Sequence, residues 1–404
     1  MTDLSNTTWN RIYKFVTWLL RKNIRNPDTA EEDDIGPIEP AIYGESLIPQ
    51  RKSQPLLMEL RRYYRDYVAI PVDKRYRAFE VVEDIKNSLQ KFVQDESKTN
   101  YTFGDIMPQG SSYEGLKVVE PNEFDLLLPL ILKDSEWRST EAAGSEYHAP
   151  GYVFIRKCIS NTKTPYDDAI DNDVYLSPIE IKRKMQSIVQ RAVKKLDFPN
   201  VQRVTLRESG PALTLEVIYD DDDYGSRKMF IDIVPSMNIR NKLFVAKRHP
   251  ESDQYQNRTY HNIFNNLWRV SFSEKEKEII REMDGERECR RTCLKILKTI
   301  QLKKGSSQLG MLSSYHLKTC MLHLNADKSI GSWHQDNLDD RFKDLLMKLI
   351  QFLKEEKMPS FSDRNIDLFS TYNTIQLQNI RDWLERKVRS DDKIIHGMLQ
   401  LGNN

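Results

Sequence analysis

The hydrophobic pattern of this chain changes period along its length, and that change limits the folds it can adopt. Between residues 51 and 254, helical stripes alternate with short apolar runs typical of β-strands, at residues 124–130, 201–206, 214–219 and 229–234. Beyond about residue 255 the apolar residues recur at helical spacing throughout, which predicts helices at residues 273–283, 288–303, 313–324, 340–354 and 374–388. We therefore expect an α+β fold with two lobes, a mixed twisted sheet lobe over residues 51–254 and a helical-bundle lobe over residues 255–404.

The first 50 residues are predicted to be an extension of this core. Trp9, Ile12, Phe15 and Leu19 fall on one face of a helix, which predicts a short amphipathic helix. Such a helix docks on the protein itself, on a partner or on a membrane surface. Residues 27–40 then carry acidic side chains and no basic one, a composition typical of a solvated linker.

The overall charge is nearly balanced, with 61 basic and 60 acidic side chains and a formal net charge of +1. This balance excludes a globally basic nucleic-acid binder of the histone type, but it allows local basic faces. Basic side chains cluster in three predicted helical segments, at residues 61–77, 182–195 and 287–304. Each cluster taken alone is also compatible with an ordinary solvated helix face.

Cysteine content and apolar runs indicate a soluble protein inside the cell. Four cysteines in 404 residues are not a disulfide framework. The apolar stretch at residues 15–20 is too short for a signal peptide. The longest apolar run, residues 124–132, contains Asp125 and falls short of the roughly 20 residues of a membrane span. We expect a cytoplasmic protein with no transmembrane segment.

Carboxylates in two predicted strands are the strongest sign of chemistry. Glu123 and Asp125 stand two residues apart in a strand, so their side chains project from the same face. Asp232 interrupts the otherwise apolar run 229–234, where a carboxylate is unfavourable unless it is paired, hydrogen-bonded or bound to a metal. If the two strands are neighbours, three carboxylates meet. Two Mg²⁺ or Mn²⁺ ions held there would suit the transfer of a nucleotidyl group.

A glycine–serine turn, Gly110-Ser111-Ser112, precedes Glu123 by about ten residues. Such a turn lets backbone N–H groups and a hydroxyl approach phosphates closely. Each signal alone is weak, because a Glu-x-Asp pair and a Gly-Ser-Ser turn are both common without any catalytic role. Their order and spacing together are typical of nucleotidyltransferases of the polymerase-β type.

Longer sequence blocks resemble one family within that superfamily. The blocks are GSSYEGLKV (residues 110–118), PNEFD (121–125), LWRVSFS (267–273), CLKILK (293–298) and SSYHLKT (313–319). Their order is similar to that in the cyclic GMP-AMP synthase (cGAS)-like receptors of the Mab nucleotidyltransferase family, and the resemblance covers about residues 55–390. It implies the two-lobed polymerase-β-type nucleotidyltransferase fold, with a long basic helix in the sheet lobe.

The resemblance also implies a role for each residue that matches the family's motifs. Glu123, Asp125 and Asp232 would hold the two metal ions, and Asp232 would help to activate the attacking hydroxyl. The substrates would be ATP and GTP or other nucleoside triphosphates. The implied nucleotide contacts are Gly110 and Ser111 with the donor triphosphate, Lys298 and Ser314 with the donor phosphates, Tyr315 with a base, and Arg269 and Ser271 with the acceptor base. Without the family blocks, Tyr315 and Arg269 would suggest core packing and a surface salt bridge.

One departure from the family concerns zinc and the activating ligand. The vertebrate DNA sensor carries a zinc insert of one His and three Cys, where this chain has only residues 283–286. Cys289 and Cys293 have no third and fourth ligand nearby in sequence, so we expect no structural zinc and two cysteines that face the interior or a crevice.

Double-stranded nucleic acid is the implied activating partner. RNA is favoured over DNA, because zinc-less relatives include sensors of double-stranded RNA, and we expect a ligand-induced dimer as one assembly. Binding would be to phosphates, read by shape and sensitive to salt. The residues implied to make these contacts are Arg61, Arg62, Arg65, Arg291 and Lys295.

The leading hypothesis is a nucleic-acid-activated enzyme that makes a cGAMP-like cyclic dinucleotide. The product would be a second messenger for an immune receptor of the STING type in innate antiviral defence. The alternative is a catalytically silent member of the family that keeps the fold for binding or oligomerisation. A silent scaffold has no physical need for three acids facing one cleft, and this favours the enzyme.

Overall fold

The computed structural model describes residues 55–95, 101–142, 149–159, 163–171, 174–198, 200–209, 212–221, 223–247, 249, 264–285, 287–305, 307–389 and 398. The amphipathic helix and the acidic linker predicted within the first 50 residues lie outside these ranges. Both therefore stay predictions.

Eleven strands of the described residues form one mixed sheet. They are β1 (Met107–Gln109), β2 (Glu123–Leu130), β3 (Trp137–Glu141), β4 (Tyr152–Lys157), β5 (Ile170–Asp171), β6 (Tyr175–Leu176), β7 (Val201–Ser209), β8 (Ala212–Asp221), β9 (Gly225–Ile239), β10 (Lys242–Val245) and β11 (Leu267–Ser271). β2 and β9 run parallel, β1 pairs with β2, and β8 and β7 extend the sheet from the first half of β9. The second half of β9 continues through β10 and β11 to β4, which pairs with β3 and β6.

The described helices follow the predicted periodicity. They are α1 (Pro55–Tyr63), α2 (Val72–Gln94), α3 (Gly110–Tyr113), α4 (Pro178–Lys195), α5 (Ser273–Glu282), α6 (Arg290–Lys303), α7 (Ser314–Asp327), α8 (Leu338–Lys354) and α9 (Thr374–Arg389). A π-helical turn, Tyr64–Val68, follows α1. α4 begins at Pro178, where the Ser177 side chain accepts a hydrogen bond from the Glu180 N–H, a standard helix start.

The sheet has one apolar and one polar face around β2, β8 and β9. Alternate apolar residues of these strands, such as Leu126 and Ile231, are buried in one core with the apolar stripes of α2 and α4. The intervening residues project from the opposite face, because successive side chains alternate along a strand. We call this opposite face the site face, defined by Asp125, Thr214, Glu216 and Asp232.

Two compact units divide the chain. The sheet unit comprises Asp73–Glu282 and Gln351–Asn379, and the helical unit comprises Met1–Val72, Met283–Ile350 and Ile380–Asn404. In the helical unit, α6, α7 and α8 bury apolar residues such as Leu297, Leu317 and Leu345. The domain boundaries predicted after residues 50 and 254 stay predictions.

One secondary-structure prediction was wrong. The pattern beyond residue 255 predicted only helices, but Leu267–Ser271 forms β11, which pairs with β10 and β4. Leu267 and Trp268 are consecutive and both fully buried. A strand covered on both faces shows no polar–apolar alternation, so its period could not be recognised. The four strands predicted before residue 254 are confirmed.

Within the part of the chain that the structure describes, no helix is both long enough and apolar enough to cross a membrane.

Candidate active site

The predicted carboxylates meet on the site face. β2 and β9 are adjacent and parallel, and their register pairs Asp125 directly with Asp232. The same row continues to Gln109 of β1 on one side and to Thr214 of β8 on the other. Neighbouring strands lie about 4.8 Å apart, so the two aspartates are side by side. The condition set from the sequence, that the two strands are neighbours, is met.

Burial and like charge raise the pKa of Asp125 to about 6. Burial is the largest cause, followed by the negative charges of Asp232 and Glu123, while Lys117 acts in the opposite direction. The Asp232 carboxylate accepts a hydrogen bond from Thr214 Oγ1 at 2.5 Å, which orients it. The negative charge of Asp232 disfavours the ionisation of Asp125. Two carboxylates this close together form a site that attracts cations.

Gly110 brings the backbone directly against this pair. It follows β1 with a φ of +80°, and a Cβ built on it would lie 1.8 Å from Asp125 Oδ2. Both the positive φ and the close approach require glycine. The Ser112 hydroxyl donates to the Glu123 carbonyl at 2.6 Å, so the turn is tied to the first residue of β2.

Glu123 lies on the site face but is engaged differently. Its carboxylate pairs with Lys117 Nζ at 2.6 Å, and its side chain is 71% exposed. Among the residues that the structure describes, no three His, Cys, Asp or Glu side chains group closely enough to hold a metal ion. Of the three carboxylates expected to meet, Asp125 and Asp232 therefore lie side by side, whereas the carboxylate of Glu123 is paired with Lys117.

The donor set suits hard divalent cations. Carboxylate oxygens are the ligands that Mg²⁺ and Mn²⁺ prefer, and a cation would relieve the repulsion between Asp125 and Asp232. Glu123 lines the same cavity as this pair and is the third carboxylate available to it. These residues fit a divalent metal site.

A cavity of about 420 Å³ opens over the two aspartates. The cavity is lined by residues of the glycine–serine turn and of strands β2, β7, β8 and β9: Ser111, Glu123, Phe124, Asp125, Arg207, Thr214, Phe230 and Asp232. Lys117, Arg207 and Thr214 were not predicted from the sequence as residues of this site. A signal existed for Thr214, because it interrupts the apolar run of β8 as Asp232 interrupts that of β9. Arg207 had no such signal, since a basic residue is ordinary on an exposed strand.

The raised pKa of Asp125 predicts a pH dependence of the metal-free protein's stability. The folded-state pKa of about 6 exceeds the ordinary value of 3.8, so the native state binds the proton more tightly. Stability should therefore rise as the pH falls from 7 through 6. We expect Asp125→Asn to be more stable than the wild type at pH 7 in EDTA, by an amount that shrinks by about 1 kcal/mol at pH 5. Thermal unfolding of both proteins measures this, and a pH-independent difference would contradict it.

Arg269 and Ser271 lie in β11. The register links them through Val245 to Ser236, which stands four residues beyond Asp232 in β9, so both project from the site face. Both side chains are half-buried. Burial, assisted by the nearby Arg269 charge, lowers the pKa of Lys247 to about 8. The predicted role of Arg269 and Ser271 at the acceptor base stays a prediction.

The predicted donor contacts lie in the helical unit. Lys298 is buried in α6. Ser314 is the exposed first residue of α7, and Tyr315 is half-buried with Lys318 Nζ 5.3 Å from its ring centroid. The roles of Lys298, Ser314 and Tyr315 stay predictions.

Three of the predicted nucleic-acid contacts form an exposed basic patch on α1 and the π-helical turn. Arg61 pairs with Asp336 at 3.0 Å, and Asp66 pairs with both Arg62, at 3.5 Å, and Arg65, at 2.8 Å. Exposed ion pairs of this kind contribute little to stability. Breaking them to bind another anion therefore costs little free energy. We call Arg61, Arg62 and Arg65 the basic patch.

The other two predicted contacts are less accessible. Lys295 is buried, and its Nζ donates to the Tyr64 hydroxyl at 3.1 Å. Arg291 is half-buried, and burial lowers the pKa of its guanidinium against the opposing effect of Asp284. The predicted contacts of Arg291 and Lys295 with nucleic acid stay predictions.

Cys289 and Cys293 are buried, as the sequence predicted. Their Sγ atoms contact the carbonyl oxygens of His334 and Leu338, at 3.6 Å and 3.9 Å.

Two family models match the chain. The Mab-21 protein nucleotidyltransferase domain matches residues 112–282, and the Mab-21 protein HhH/H2TH-like domain matches residues 289–386. The first match contains Asp125 and Asp232, and the second contains α6, α7 and α8. The chain therefore belongs to the Mab-21 family of nucleotidyltransferase-domain proteins, and the predicted α+β fold of the polymerase-β type is confirmed.

Similar proteins within this family differ in what they are named for. Cyclic GMP-AMP synthase-like receptor 3 of Stylophora pistillata is 28% identical over 356 residues, 84% of this chain and 96% of that protein. Mitochondrial dynamics protein MID51 of Danio rerio is 28% identical over 315 residues, 76% of this chain and 63% of that protein. Cyclic GMP-AMP synthase of Sus scrofa is 25% identical over 308 residues, 66% of this chain and 58% of that protein. The chain thus spans less than two thirds of the length of MID51 and of the Sus scrofa synthase.

Proposed function

We propose that this protein is a nucleic-acid-activated nucleotidyltransferase that joins ATP and GTP, or other nucleoside triphosphates, into a cyclic dinucleotide. One observation carries the proposal: Asp125 and Asp232 lie side by side under an open cavity, with the Gly110 backbone against them. The names of two relatives support the choice of product. The product would act in the cytoplasm as a second messenger upstream of a STING-type receptor in innate antiviral defence.

We assign a role to each residue of the carboxylate site. Asp125, Asp232 and Glu123 would hold two Mg²⁺ or Mn²⁺ ions, which when bound neutralise the polyphosphate and lower the pKa of the attacking hydroxyl. Asp232, oriented by Thr214, accepts the proton of that hydroxyl. The turn at Gly110 places a backbone segment close enough to contact the donor triphosphate. Binding of the activating ligand would order this turn and complete the site.

The remaining contacts carry over from the family resemblance. Lys298 and Ser314 would bind the donor phosphates, and Tyr315 would stack on a base. Arg269 and Ser271 would hold the acceptor base, a role suited to a guanidinium because it presents donors in a fixed plane.

A catalytically silent scaffold is the second candidate. Its support is the ion pair that engages Glu123 with Lys117, and two relatives named for mitochondrial dynamics. The opposing observation is the pair of adjacent aspartates. Holding Asp125 beside Asp232 is unfavourable for a protein that places no cation there.

A product assay with separate nucleic-acid arms tests the proposal. The full chain is incubated with Mg²⁺ or Mn²⁺, all four ribonucleoside triphosphates, and long double-stranded RNA, long double-stranded DNA or neither. We expect a cyclic dinucleotide, identified by mass, in the RNA arm. Product in the DNA arm alone would contradict the preference for RNA and would still support the proposed reaction. No product in any arm, with a duplex still bound tightly, would favour the scaffold.

The basic patch predicts how activation depends on salt. Reversing two charges with Arg61→Glu and Arg62→Glu should weaken duplex binding and lower RNA-dependent activity, and should reduce the slope of log affinity against log salt by about 2. The matched control reverses Arg138 and Arg364, two exposed arginines outside the three basic clusters. Equal salt slopes for the two double variants would show that the basic patch is not part of the binding surface.

Gel filtration of the full chain with and without RNA tests the ligand-induced dimer.

A further inference from the structure

A second group of charges lies on the site face beside the aspartate pair. Glu216 of β8 has a side chain only 5% exposed, although it is a carboxylate in a central strand. It accepts Arg207 Nε at 2.5 Å and Lys228 Nζ at 3.0 Å. These two contacts lower the pKa of Glu216, so it is ionised and holds both cations. We call Arg207, Glu216 and Lys228 the charge triad.

The charge triad belongs to the same site as the aspartates. The strand register places Arg207 opposite Thr214, and Thr214 opposite Asp232, so all three project from the site face. Arg207 also lines the cavity that opens over Asp125 and Asp232. Thr214, which orients Asp232, therefore stands between the carboxylate pair and the guanidinium.

One row of paired residues crosses the site face from Gln109 through Asp125, Asp232 and Thr214 to Arg207. The two ends of this row differ in chemistry. The glycine–serine turn follows β1, on the side of Asp125 away from Asp232. Arg207 and Glu216 of the charge triad lie on β7 and β8, on the other side of the pair, and Lys228 stands four residues before Asp232 in β9. A reaction between two nucleotides over the aspartates would bring two phosphate chains to the cavity. The turn lies where one chain could be bound, and the cations of the charge triad lie where the other could be.

The charges of the triad suit an anion. Two cations and one carboxylate leave a net charge of +1, and the Arg207 and Lys228 side chains are 55% and 51% exposed. A guanidinium has five N–H donors, and the contact with Glu216 uses the one on Nε, so donors remain for a phosphate. Glu216 also fixes the orientation of both cations, which lowers the entropy lost on binding.

A second cavity extends the path for a chain of phosphates. It has a volume of about 330 Å³, shares Phe230 with the first cavity, and is lined by Lys228 together with Lys74 and Arg227. The carboxylates of Glu120 and Asp221 also line it. The cations therefore continue from Arg207 past Phe230, along β9 and away from Asp232.

From this arrangement we propose that Arg207 and Lys228, positioned by Glu216, bind the phosphate chain of the acceptor nucleotide. The inference rests on the proposed nucleotidyl transfer and adds the subsite for the second substrate. Arg207 and Lys228 are binding residues, and Glu216 is a positioning residue.

The decisive experiment measures binding rather than turnover. The donor site of the full chain is first saturated with α,β-methylene ATP and Mg²⁺, and inorganic tripolyphosphate is then titrated by calorimetry. We expect Arg207→Ala to weaken tripolyphosphate binding about tenfold or more, and Arg207→Lys to weaken it less. The control is Arg203→Ala, an exposed arginine of the same strand that does not line the cavity. Equal affinity of the wild type and Arg207→Ala, or no binding by the wild type, would overturn the proposal.

Kinetics separate positioning from a general loss of structure. Glu216→Gln keeps the volume of the side chain but weakens its hold on both cations, so we expect a raised KM for the acceptor with kcat largely retained. An equal loss in kcat and thermal stability would mean a structural role only and would contradict the positioning. The calorimetric result does not depend on product formation, so failure of the proposed reaction would be recognised separately.

Discussion

Asp125→Asn is expected to abolish nucleotidyl transfer and leave the protein folded. Asp125 is a half-buried carboxylate with Gly110 on one side and Asp232 on the other. Asparagine keeps the shape but removes the charge that attracts a divalent cation. The loss of charge stabilisation at the reacting phosphate is worth several kcal/mol, so we expect activity to fall by about a thousandfold or more.

Two measurements make this result specific to the site. Thermal unfolding at pH 7 should show that Asp125→Asn is at least as stable as the wild type, because the substitution removes a repelled charge. The matched variant is Asp223→Asn, an exposed aspartate in the turn between β8 and β9. Its activity should be unchanged. Activity of Asp125→Asn within tenfold of the wild type would exclude this carboxylate from catalysis.

Gly110→Ala is expected to produce the second large effect. The new Cβ would lie 1.8 Å from Asp125 Oδ2, so either the turn or the carboxylate must move by more than an ångström. A displacement of that size at the reacting centre costs about a hundredfold in rate. The positive φ of +80° adds strain for any residue with a Cβ.

A second glycine separates these two contributions. Gly225 has a φ of +68°, but a Cβ built on it meets nothing within 4 Å. Gly225→Ala therefore tests the strain of a positive φ without a clash at the site, and we expect nearly full activity. Steady-state rates and unfolding curves of both variants provide the comparison. Equal losses of activity in the two variants would show that the contact between Gly110 and Asp125 does not matter.

The carboxylate pair could be predicted from the sequence because its signal is local. Asp232 is an isolated acid in an apolar strand, and Asp125 lies near the start of another such strand, which follows a glycine–serine turn. Both features follow from the cost of burying charge, which leaves few structures in which such residues are stable. The parallel register that pairs Asp125 with Asp232 could not be derived in the same way, since it depends on strands about a hundred residues apart.

The features that the sequence did not reveal depend on long-range contacts. Arg207 is an ordinary basic residue in its own strand, and it gains a role only because Glu216 and Lys228 lie on neighbouring strands. Lys117 reaches Glu123 across a loop whose path has no periodic signal. Lys295 belongs to a basic cluster in the sequence, but it is buried and its ammonium donates a hydrogen bond to the Tyr64 hydroxyl. Charge patterning indicates where cations are frequent, and it does not determine which of them face solvent.

The most direct test of the central claim, that the Asp125–Asp232 pair transfers nucleotidyl groups, is the fate of radiolabelled substrate. The wild type and Asp125→Asn are incubated with α-labelled ATP and GTP, Mg²⁺ or Mn²⁺, and long double-stranded RNA or DNA, and the mixture is then treated with phosphatase. A cyclic dinucleotide has no terminal phosphate and survives this treatment. We predict phosphatase-resistant label from the wild type and none from Asp125→Asn. No resistant label from the wild type under any combination of metal and duplex, with equal triphosphate binding by both proteins, would contradict the claim.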